Sequence, residues 1–167
     1  MLSRRELNCG FENGVRATLS EPPTSTTTAP CTRLLVWGSP VSVNPSRVFL
    51  SDTQADCVDS FETLPTTFGL NLTTLRLPSG QAGIAVAPGP LNGYPPLIGI
   101  FDLQGRKIGE FFAFNDPNTY GSNIAAVDVD GDSQDEIVLG EGIGPGRPYT
   151  VRIFRQDGQM LTKWEAF

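Results

Sequence analysis

An all-β fold of short antiparallel strands is predicted for this 167-residue chain on three observations. Eighteen glycines and 14 prolines are more than a helical protein carries, and ordinary where many short strands are joined by turns. Apolar, partly β-branched runs such as Ile124-Ala125-Ala126-Val127 and Ile137-Val138-Leu139 are short and bounded by turn residues, the pattern of buried strands. The chain also repeats itself at a spacing near 52 residues, enough for four strands per unit.

The repeat is carried by the pattern I-F-x-x-x-G. Ile100-Phe101-Asp102-Leu103-Gln104-Gly105 matches Ile153-Phe154-Arg155-Gln156-Asp157-Gly158 at a shift of 53. Both copies run on to aromatic-rich ends, Glu110-Phe111-Phe112-Ala113-Phe114 and Lys163-Trp164-Glu165-Ala166-Phe167. Upstream, Pro65-Thr66-Thr67-Phe68-Gly69 matches Pro117-Asn118-Thr119-Tyr120-Gly121 at a shift of 52, and Asn71 matches Asn123. A weaker trace, Arg47-Val48-Phe49, puts Phe49 52 residues before Phe101 and follows the apolar Leu34-Leu35-Val36-Trp37-Gly38. Each unit then holds a buried strand, a loop, a second buried strand and an I-F hairpin whose Gly supplies a positive φ. Four strands per unit of about 50 residues is the pattern of a propeller blade. The prediction is a partial β-propeller of about two and a half to three four-stranded antiparallel blades, over about 34–68, 69–120 and 121–167. The aromatics read as packing between blades rather than as a ligand platform.

The last unit contains an acidic loop. Asp128, Asp130 and Asp132 stand at alternate positions and Glu136 follows. Such spacing wraps carboxylate oxygens around one hard cation, and Ca²⁺ accepts six to eight oxygens at about 2.3–2.6 Å in irregular geometry. The expected ligands are the side chains of Asp128, Asp130, Asp132 and Glu136 and the backbone carbonyl of Gln134. An EF-hand is excluded, because it needs flanking helices and a bidentate Glu where this chain has Leu139. The other reading is a polar hairpin whose acids face water. Against it, five of the chain's 18 acids fall within nine residues and would repel one another without a cation. The middle unit has Arg76-Leu77-Pro78-Ser79-Gly80-Gln81-Ala82-Gly83-Ile84 at this place, without a carboxylate, so one calcium site is expected.

The stretch from Gly121 to Phe154 resembles the FG-GAP or VCBS repeats of integrin-α-like β-propellers. The resemblance covers about 34–167 by periodicity and carries specific motifs over 121–167. It implies Ca²⁺ in a blade hairpin, held by Asp128, Asp130, Asp132, Gln134 and Glu136. It also implies an extracellular or cell-surface protein used in adhesion, ligand binding or as a module beside an enzyme. Two departures stand out. Ser133 occupies loop position 6, where the family commonly has Gly, a change expected to strain the turn or weaken the site. Fewer units are present than the four to eight of a closed propeller. The exposed blade faces this leaves imply a longer parent, self-association, or a cap formed by the N-terminal segment.

Composition narrows the partners. A net charge of −6 with no basic run disfavours nucleic acid and anionic membranes, and no run of 18 apolar residues is present to insert into a bilayer. Residues 1–33 read as a separate N-terminal segment containing the Pro/Thr tract EPPTSTTTAP, typical of a linker or exposed loop. Ser3-Arg4-Arg5-Glu6-Leu7 is not followed by the apolar stretch of an export signal. Of Cys9, Cys31 and Cys57, a Cys9–Cys31 disulfide contributing about 3 kcal/mol and three unpaired thiols are both open readings. Asn71-Leu72-Thr73 fits a glycosylation sequon.

The chain has no histidine, which removes Ser-His-Asp and Cys-His mechanisms and histidine metal ligands. Paired carboxylates could still cleave glycosides, but Asp52, Asp56 and Asp59 lie in one segment without a catalytic signature, and Asp52 and Asp59 read as solvated turn residues. The glycine-rich stretch 140–146 lacks the Lys-Ser/Thr and helix of a phosphate loop, and reads as an inter-strand loop with several positive φ values. The expected function is a calcium-binding, non-enzymatic module for adhesion or protein/glycan binding outside the cell. The alternatives are an accessory domain or fragment of a carbohydrate-active enzyme, and a metal-independent structural stack.

Overall fold

In a computed structural model, the described residues are 17–20, 34–40, 43, 45–51, 57–89, 96–114, 120–142, 144 and 149–166. They form twelve strands and no helix. The first antiparallel sheet is β1 (Ala17–Ser20), β2 (Leu34–Gly38), β3 (Arg47–Ser51) and β4 (Cys57–Glu62). The second is β5 (Leu70–Arg76), β6 (Ala82–Pro88), β7 (Leu97–Asp102) and β8 (Lys107–Phe112). The third is β9 (Ser122–Val127), β10 (Glu136–Glu141), β11 (Thr150–Phe154) and β12 (Met160–Glu165). Within each sheet, spatial order follows chain order, so the connections are local and each sheet is a meander. The three sheets do not close into a ring among the described residues.

Alternation along the strands sends apolar side chains to both faces, so each sheet can pack against two neighbours. Val36, Val48 and Leu50 of the first sheet meet Leu70, Ile84, Val86 and Phe101 of the second. The opposite face of the second sheet presents Ala85, Ala87, Ile98 and Ile100 to Ile137, Leu139 and Phe154 of the third. All of these are buried. The first strands of successive sheets approach one another, β1 to β5 and β5 to β9, so the sheets fan out from a shared inner edge.

The I-F hairpins lock each sheet onto the preceding one. Phe101 packs on Phe61 of β4 at 5.5 Å between ring centroids, and Phe154 on Phe111 of β8 at 5.0 Å. In the turns after them, Gly105 N–H donates to the Asp102 carbonyl and Gly158 N–H to that of Arg155. Gly105 and Gly158 have φ of 77° and 87°, and an added Cβ would lie 2.5 Å from Phe61 and 2.8 Å from Phe111. Each glycine thus supplies both a left-handed backbone and room for the neighbouring aromatic.

Three expectations need correction. The first sheet does not begin at residue 34: β1 lies inside 1–33 and pairs from Ala17↔Trp37 to Ser20↔Leu34. The four-residue Ala-Thr-Leu-Ser strand is too short to stand out beside a Pro/Thr tract. Phe49 is also not the counterpart of Phe101. The strands shift register at Leu50/Ser51, Ile100/Phe101 and Ile153/Phe154, so Ser51 holds the aromatic's place in the first sheet. Phe49 lies two residues earlier on the same face, stacked on Trp37. Finally, Gly140, Gly142 and Gly144 are not in the left-handed region. Gly142 is required by close approach, since a Cβ there would lie 1.7 Å from the Tyr120 carbonyl oxygen. Gly146 and the Cys9 and Cys31 positions lie outside the described residues.

Candidate metal centre

The acidic segment is the loop between β9, which ends at Val127, and β10, which starts at Glu136. The strands converge there with Glu136 opposite Val127, so the loop leaves and re-enters one antiparallel pair. Its backbone folds around its own carboxylates. Asp128 accepts N–H bonds from Gly131 at 2.6 Å and Ser133 at 3.0 Å, one on each oxygen. Asp130 Oδ1 accepts from Asp132 N–H at 3.2 Å, and Asp132 Oδ1 from Gln134 N–H at 2.8 Å. Two left-handed residues make the tight path possible, Gly131 at φ 81° and Ser133 at φ 70°. Ser133 is the only non-glycine with positive φ among the described residues.

The fold brings together three of the five predicted ligands. One carboxylate oxygen each from Asp128, Asp130 and Glu136 lies within 4.8 Å of the others. Oxygens bound to one ion at about 2.3–2.6 Å are at most about 5 Å apart, so this spacing fits a shared calcium. Glu136 is buried and accepts from Val129 N–H at 3.0 Å, which anchors the inner side of the group. Asp132 is not in the cluster; its second oxygen takes the Gln134 side-chain amide at 3.2 Å. At about 4 Å, two carboxylates repel by roughly 1–4 kcal/mol between the dielectric of water and that near a protein surface.

Arg155 was not among the predicted site residues. It opens the β11–β12 turn, and its Nη2 donates to Asp130 Oδ2 at 2.8 Å. The corresponding residue of the second sheet is Asp102, whose carboxylate caps its own turn by accepting from Gln104 and Arg106 N–H. The repeat alignment held this signal: after the shared Ile-Phe, the unit without an acidic loop has Asp and the unit with one has Arg. Asp135 ties the loop to the second sheet, its Oδ2 accepting Arg76 N–H at 2.6 Å. Gln156 Nε2 bridges the Arg76 and Asp135 carbonyls at 2.8 and 2.9 Å.

Other candidate positions lead elsewhere. The sequon residue Asn71 is half-buried between sheets and its Nδ2 donates to the Ser122 carbonyl at 2.7 Å, so it is not presented as a glycan acceptor. Asp59 is exposed on β4, while Asp52 and Asp56 lie outside the described residues. No helix among the described residues is long and apolar enough to cross a membrane. Comparisons with protein-family models, with curated proteins and with solved structures find no match.

Proposed function

We propose that the chain is a calcium-binding, non-enzymatic module of the β-propeller type, similar to FG-GAP or VCBS repeats. In this reading it serves adhesion or protein/glycan binding outside the cell. The observation that carries the metal is the convergence of Asp128, Asp130 and Glu136 on one point at the end of a strand pair. Oxygen-only donors suit Ca²⁺ rather than a transition metal. The propeller reading is supported by sheets of four sequential strands stacked face to face from a common inner edge.

Calcium would be held by Asp128, Asp130 and Glu136, with Asp132 and the Gln134 carbonyl available once the loop adjusts. It would neutralise the loop's mutual repulsion. The protein's part is to fix the loop: Gly131 and Ser133 N–H hold Asp128, Val129 N–H holds Glu136, and Asp135 fastens the outer turn to the second sheet. The role is structural, giving a rigid loop on a module whose ligand contacts lie elsewhere.

Calorimetric titration tests this. Wild-type chain is expected to bind one Ca²⁺ at the 10⁻⁴–10⁻³ M level typical of extracellular modules, and Asp130→Ala to lose that binding. Unchanged binding in Asp130→Ala would remove the site from this loop.

A further inference from the structure

The third sheet has an outer face that repeats, position by position, a face already occupied inside the molecule. Against its successor the second sheet buries Ala85, Ile98 and Ile100 and packs the partly buried Asn71 and Phe111. The strand registers place Asn123, Val138, Val151, Ile153 and Trp164 at the corresponding points of the third. Asn71↔Ala87 and Asn123↔Gly140 pair alike. So do Ala85↔Ile100 and Val138↔Ile153, and Ile98↔Phe111 and Val151↔Trp164. Yet Trp164 is 46% exposed, and Asn123 is exposed as well. The face is apolar at the same points and somewhat bulkier: Val138 and Trp164 exceed Ala85 and Phe111, while Val151 is smaller than Ile98.

We infer that this face is a docking site for a further four-stranded unit of the same pattern. That unit would present the features the third sheet presents to the second. Its entering strand would offer a carbonyl to the Asn123 amide, as Ser122 does to Asn71. A Phe followed four residues later by Gly would cover Trp164, as Phe154 and Gly158 cover Phe111. Gly142 would receive its leading glycine, as the Gly89 backbone receives Gly121. The first sheet of a second copy does not meet this description. Ser51 stands where the Phe is needed, and Trp37 and Phe49 on that face are buried. The inference rests on sheet packing and does not depend on the metal.

The test appends a second copy of residues 115–167 to the full chain, so that the added unit keeps its entering connection, with Trp164→Phe in the added copy. Trp164 of the original unit then reports on its own face, with Trp37, 7% exposed, as a constant background. The unextended chain is expected to sediment as a monomer with Trp164 open to acrylamide. In the extended chain, Trp164 emission should shift to the blue and its quenching fall severalfold. Phe154→Asp in the added copy alone should reverse both changes while leaving the original three sheets intact by circular dichroism. An extended chain whose Trp164 stays as quenchable as in the parent overturns the inference. So does an unextended chain that buries Trp164 in a concentration-dependent dimer, which would make a second copy the occupant.

Discussion

At the scale of single residues, the acidic loop is a competition among charges. Arg155 already gives Asp130 one positive partner, so an incoming Ca²⁺ must share Asp130 or displace the guanidinium. Arg155→Gln should therefore tighten Ca²⁺ binding several-fold in a calorimetric titration. In EDTA it should lower stability by less than about 1 kcal/mol, because the pair is largely solvent-exposed. Weaker calcium binding in Arg155→Gln would show that Arg155 organises the site rather than competing for it. Ser133 supplies a second lever. A β-carbon in the left-handed region costs about 1–2 kcal/mol, so Ser133→Gly should stabilise the chain by roughly 1 kcal/mol in denaturant unfolding. No gain would mean that the Ser133 conformation carries no strain.

At the scale of elements, the hairpin after each Ile-Phe joins neighbouring sheets. Phe154 is buried against Phe111, and truncation to Ala should cost about 3–5 kcal/mol. Truncating the exposed Phe112, its neighbour's chain partner on β8, should stay within about 0.5 kcal/mol. Urea midpoints of the two variants check this directly, and equal losses would contradict the packing order described. These hairpins were also the most legible elements. Phe and Gly at fixed spacing announce a turn and a core contact together, so β7–β8 and β11–β12 could be placed from the sequence. The first sheet was not legible in the same way, because Ser51 lacks the aromatic that marks the register and β1 is only four residues long. In the loop, the alternation of Asp128, Asp130 and Asp132 suggested three equivalent ligands. Asp132 instead turns to Gln134, a local hydrogen bond that spacing does not reveal. Arg155 was hidden by distance in sequence, 25 residues from Asp130, although the Asp102/Arg155 exchange between units pointed to it.

At the scale of the whole molecule, stability comes from two apolar layers between three sheets, and the loop is fastened to both participants of the second layer. Calcium binding should thus be felt globally rather than as local ordering alone. At millimolar Ca²⁺, a site whose Kd is tenfold below the free concentration contributes about 1.4 kcal/mol, and a chain of this size gains about 2–4 °C in Tm per kcal/mol. The most direct measurement is thermal unfolding of the chain in EDTA, in millimolar Ca²⁺ and in millimolar Mg²⁺. A rise of about 3–6 °C with Ca²⁺ but not Mg²⁺, absent in Asp130→Ala, is the predicted result. Identical melting in all three conditions would contradict a calcium centre at Asp128, Asp130 and Glu136.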